Sequence, residues 1–182
     1  MSPEELLSLG FSRGLVVLII SALPIFELRG AIPVAINLFH FPWYYAFLLA
    51  IIGNLIPVPI ILLCLNAIVR FLSRVGFFDR FFRWLFEHTR KRGGIVERYE
   101  RIGLALFVAI PLPVTGAWTG SLVAVIFGLK FKHAMLSIFV GVLIAGVIVT
   151  CLSLLGWVGA VIAGIGLGVL AAFGLWKTSR KA

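Results

Sequence analysis

The scarcest thing in this sequence is negative charge. Only seven Asp and Glu residues stand among 182, against sixteen Lys and Arg. All charged residues together make up 13% of the chain and hydrophobic ones 62%, where soluble domains carry about a quarter charged and about half apolar. That excludes a soluble globular domain and predicts an integral membrane protein built as one unit. Cysteine is equally sparse. Cys64 and Cys151 both lie in apolar runs, which reads as small core residues and excludes a disulfide framework. The three histidines, His40, His88 and His133, are too widely spaced to suggest a metal site. Ser, His and acid converge nowhere, and the glycine-rich "GIGLG" at 164–168 lies inside an apolar run and follows no strand. The expectation is no enzyme, no cofactor and no metal. A net charge of +9 would suggest nucleic acid as partner for a soluble chain. In this apolar setting it points to anionic lipid headgroups instead.

What is present is a series of long apolar blocks. A straight span needs about 20 apolar residues. Blocks 43–69, 133–155 and 157–176 fit that length. Blocks 14–39 and 102–129 each consist of two half-length apolar pieces around a polar or proline-rich centre. The first centre is "SALPIFELRGAIPVAI", broken by Pro24 and Pro33; the second is "PLPVTGAWTG", with Pro111, Pro113 and Gly116. Irregular backbone at membrane depth survives only under cover of protein or beside a water-filled cavity, so the pattern predicts two re-entrant hairpins that shield each other. Each centre is followed by a full span. The fold expected is therefore all-α, an inverted repeat of re-entrant hairpin plus transmembrane helix, with an extra C-terminal transmembrane helix. In the last block Ala160, Gly164, Gly168 and Ala172 recur four apart as a packing stripe, bracketed by Trp157 and Trp176.

The remaining segments lie at the membrane surface. Ser2, Pro3 and Glu5 read as cap, first-turn proline and capping acid of an interfacial helix over 3–12, and Glu4 and Glu5 argue against a cleavable signal. Segment 70–101 holds nine basic residues among recurring Phe and Trp, an amphipathic pattern suited to anionic headgroups. Placed on the cytoplasmic side, it brings fourteen of the sixteen basic residues there, leaving out Arg13 and Arg29. The expected localisation is a cell membrane of cytoplasmic type, with the N-terminus outside and the C-terminus and 70–101 in the cytoplasm. Membrane lipids are the expected partners, nucleic acid is not, and a homo-oligomer is left open.

The chemistry expected rests on few groups. Glu27 is the one acid outside the N-terminal and 70–101 segments, and an acid at membrane depth is costly unless paired. Arg29 is its nearest base, but residues two apart on a helix do not face each other, so they meet only if the tip is irregular. Glu27 can bind a proton or a substrate, or cap the free N–H groups of a half-helix; Arg29 can tune that acid, meet an anionic headgroup or fix free carbonyls. Thr115, Trp118 and Thr119 are the candidates from the second centre. Asn54, beside Pro57 and Pro59, reads as a kink or a cavity lining.

"ALPIFELRGAIPVAI" together with "AIPLPVTGAWTGSLVAVIFGL" resembles the small multidrug export proteins over most of the chain. That family is in turn similar to the DedA (VTT, SNARE-associated) superfamily. The resemblance implies proton-linked transport of a lipid or polyprenyl-phosphate amphiphile, with Glu27 and Arg29 in the first hairpin. It implies a further arginine, Arg98 or Arg101, ahead of the second. The chain departs from the DedA pattern in having no arginine within its second hairpin and no second acid near Pro33. Export of small cationic drugs and a non-transporting membrane organiser are the alternatives.

Overall fold

The computed structural model describes residues 12–72, 94–112, 115–156 and parts of 158–168; side chains are described except at 66–72 and 94–99. The interfacial helix expected over 3–12, most of the basic segment and most of the last block lie outside the described residues.

Among the described residues every regular element is helical. Helix α1 (Arg13–Ala22) starts where the Ser12 hydroxyl accepts from the Leu15 N–H at 3.4 Å. It stops at Leu23 because Pro24 has no N–H to continue the ladder. After a turn over 23–26, α2 (Glu27–Pro33) begins, and it passes into a π-helix, Val34–Leu38. Pro33 was an expected break, yet the chain stays helical through it. The wider turn, seen in the Phe39 N–H to Val34 carbonyl bond of 3.0 Å, accommodates a proline that has no N–H for the Arg29 carbonyl.

The first span has two parts, α3 (Trp43–Leu55) and α4 (Pro57–Leu72), separated at Ile56. Helix α5 (Gly94–Ala109) runs without interruption from the basic segment into the apolar block. After the second break come α6 (Ala117–Ile126) and the unbroken α7 (Phe131–Leu154). Two stretches are long and apolar enough to cross a membrane, Trp43–Leu65 and Phe131–Leu154, with mean hydropathies of 2.6 and 2.7. Helices α1 and α6 have 10 residues each, half a span.

The packing is that of a protein in lipid. On α7 the buried face is Ala134, Ser137, Gly141, Ala145, Gly146 and Ser153 with a few branched residues, while Leu136, Phe139, Val140, Val147 and Leu154 are exposed. Small residues inside and large apolar residues outside let helix backbones approach where no hydrophobic effect drives them together. Two of the close approaches form a pair. A Cβ at Gly53 would overlap the Leu18 carbonyl and the Ser21 hydroxyl of α1. A Cβ at Gly141 would crowd the Ala105 carbonyl and Val108 of α5. Across the molecule, α2 packs on α7 and α6 packs on α4, so each short helix lies against a long helix distant in sequence.

Candidate functional site

The site forms where the two breaks meet. In the first, the Leu23 N–H donates to the Ile20 carbonyl at 3.3 Å and the Glu27 N–H to the Leu23 carbonyl at 3.0 Å. Glu27 is left with φ of 46°, in the left-handed region that costs a side-chain-bearing residue of order 1–3 kcal/mol. This irregularity turns its carboxyl group inward, where it is buried although Leu23, Pro24, Ile25 and Phe26 before it are exposed.

The second break is held by its own hydroxyl. The Thr115 Oγ1–H donates to the Ile110 carbonyl, and Oγ1 accepts from the Leu112 N–H at 3.2 Å. Helix α6 then starts from Gly116 with no side-chain cap of its own. A helix start leaves four N–H groups without intrahelical partners. Glu27 supplies the missing acceptor from the opposite hairpin. The Trp118 N–H donates to its Oε1 at 3.4 Å, and the Ala117 N–H also reaches the carboxylate. A Cβ at Gly116 would overlap that carboxylate, so the hydrogen of glycine is what lets the acid in.

The reverse contact closes the pair. The Trp118 indole N–H donates at 3.1 Å to the carbonyl of Ala22, the last residue of α1. Each hairpin thus caps an open helix end of the other. Arg29 completes the cluster, its Nη2 lying 3.6 Å from the second carboxylate oxygen of Glu27. The arginine side chain is 22% exposed and the acid 8%, so the base stands nearer the edge of the cluster. A buried acid–base pair of this kind is weak as a stabiliser, yet removing one partner costs about 3–5 kcal/mol because the other charge is stranded.

Of the candidate residues, Glu27, Arg29 and Trp118 come together. Thr115 and Thr119 bond within their own hairpin, the latter to the Gly116 carbonyl at 3.4 Å. Asn54 lies in the last turn of α3, 1% exposed, and its Oδ1 has no hydrogen-bond partner. Pro111 lies in the second break; Pro113 and the Arg98 side chain lie outside the described residues. Arg101 sits on α5 well before the break. Gly116 is expected from the sequence only as part of the second break; that it makes room for the Glu27 carboxylate, and that Gly53 and Gly141 admit close helix approach, are findings of the structure.

As an arrangement for chemistry, the cluster is a carboxylate with three N–H-type donors around it at a protein-covered break. It can exchange a proton or an ion pair. A family model described as "Putative small multi-drug export protein" matches residues 27–148, from Glu27 at the end of the first break through the second break and most of α7. No curated protein and no solved structure matches the chain.

Proposed function

Because the chain belongs to the small multi-drug export protein family, we propose that it exports small amphiphilic cations through the place where its two breaks meet, exchanging them for protons at Glu27. The observation that carries this reading is the buried Glu27 carboxylate, the sole acid with described side-chain contacts in that cluster, held by Arg29 and the start of α6. A cation binding the carboxylate competes with both Arg29 and a proton. That competition is the exchange step of an antiporter, and it requires no covalent chemistry, so transport is favoured over catalysis.

The architecture proposed is an inverted repeat of two re-entrant hairpins with their spans. Its support is the matched approach of α1 to Gly53 and of α5 to Gly141, together with the crossed packing of α2 on α7 and α6 on α4. Charge placement argues for segment 70–101 and the C-terminus on the cytoplasmic side and the N-terminus outside, with anionic lipids as neighbours of the basic segment.

A second reading has its own observation. Arg29 and the Ala117 and Trp118 amides would suit a phosphate if the Glu27 side chain withdrew, because a half-helix start with an arginine is an anion site. That is the DedA-like alternative, translocation of a lipid or polyprenyl phosphate.

Vesicles holding wild type or Glu27→Gln, with an imposed pH gradient, separate the two readings when a cationic dye and a labelled polyprenyl phosphate are followed side by side. The expected result is proton-driven movement of the dye in wild type and a loss of at least ten-fold in a variant that still folds, with its unfolding temperature lowered by the stranded Arg29 charge. Movement of the polyprenyl phosphate alone moves the assignment to the second reading. Movement of neither removes both.

A further inference from the structure

We propose that the break in the first span, at Asn54, binds a small monovalent cation of sodium's size. The case begins with one atom. Asn54 is 1% exposed, and its Oδ1 is without a hydrogen-bond partner. A buried amide oxygen left bare costs of order 1–3 kcal/mol, so it calls for a ligand.

The backbone around it is short of donors. The ladder of α3 ends with the Ile56 N–H on the Ile52 carbonyl at 3.1 Å. The next carbonyl, of Gly53, would be served by residue 57, and that of Leu55 by residue 59. Both are proline and carry no N–H. The same two prolines remove donors from the first turn of α4. A further oxygen comes from α1, where the Ser21 hydroxyl lies against the Gly53 backbone. It donates to the Leu18 carbonyl at 2.9 Å and keeps its lone pairs for another partner.

The interruption thus carries a bare amide oxygen and two carbonyls deprived of their helical donors, with a hydroxyl of α1 against its Gly53 backbone. Hard oxygen ligands without a thiolate or imidazole select a hard cation. With only neutral oxygens the charge balance suits a monovalent ion better than calcium or magnesium, which are held by carboxylates. Unwound carbonyls at a broken membrane helix are a general way to coordinate such ions. Among the described residues the feature occurs once, because α7 runs unbroken from Phe131 to Leu154. The inference goes beyond the transport reading and concerns a different element from Glu27.

The test uses the full-length protein in lipid nanodiscs with no substrate, so its outcome is independent of whether anything is exported. Thermal unfolding is followed in sodium, potassium and choline chloride at equal ionic strength. Wild type is expected to show a saturable rise in sodium, roughly 5 °C at a large excess over Kd, and none in choline. Asn54→Leu removes the rise, and Asn54→Asp lowers the half-saturating sodium concentration about ten-fold or more. Should Asn54→Leu fail to fold, Pro57→Ala, which gives the Gly53 carbonyl a donor, is expected to raise that concentration. Equal unfolding temperatures in all three salts overturn the proposal. So does a sodium-dependent rise that survives unchanged in the Asn54→Leu or Pro57→Ala variant.

Discussion

The two breaks do the same job with different chemistry. The first brings charge: Glu27 and Arg29, on a turn whose acid adopts a left-handed backbone. The second brings no charge among its described residues. It offers a glycine that makes room, two amides and an indole N–H, with Thr115 holding its turn in shape. Neither would be comfortable alone in hydrocarbon. A bare carboxylate needs donors, and a bare helix start needs an acceptor. Stability and a titratable centre come from one complementary contact, which a symmetric pair of charged or uncharged breaks would not give.

Among substitutions that leave both charges in place, the largest effect expected is at Gly116. Gly116→Ala puts a methyl group into the Glu27 carboxylate and should cost about 3 kcal/mol, read as a fall in unfolding temperature. Gly103→Ala is the control, since a Cβ there meets nothing within 4 Å, and it should be neutral or slightly stabilising.

Next come Gly53→Ala and Gly141→Ala, which press on a carbonyl of α1 and of α5. Losses of about 2–3 kcal/mol in each, equal within error, would tighten the likeness of the halves. A large loss in one alone would break it. Trp118→Phe keeps the ring but strips the Ala22 carbonyl of its donor, for a loss of about 1–2 kcal/mol. Smallest is Thr115→Val, about 0.5–1 kcal/mol, because it loosens one turn within a single hairpin. If Thr115→Val proved costlier than Trp118→Phe, the second break would be held from within and not by its partner.

Much of this was legible locally. Pro24 and Pro111 fall in the two breaks, Asn54 and Pro57 flank the interruption of the first span, and the long apolar runs at 43–69 and 133–155 became α3–α4 and α7. Local signals failed in two ways. Pro33 and the polar-to-apolar switch at 102 look like boundaries, yet a wider turn carries the first and a helix does not register the second, because composition changes which neighbours a helix meets and not its ladder. The pairing of Glu27 with the start of α6 was beyond reach, being a contact 91 residues apart between groups that include backbone amides. The site residues were readable by type, as an acid and a base in a greasy run. Trp118 was readable as a candidate beside them; which atoms meet across the two breaks was not.

That separation has a consequence for how the molecule is made. The carbonyl of Ala22 and the carboxylate of Glu27 leave the ribosome 96 and 91 residues before Trp118 does. At about 5–20 residues per second, they wait on the order of 5–20 seconds for their partner. During that interval the first hairpin holds a charge and open helix ends that lipid would not accept. It must be sheltered in the insertion machinery or stay at the water's edge until the second arrives. Insertion of the first half is therefore delayed until the second break has been made, and a chain cut short before residue 118 should be left for quality-control proteases to remove.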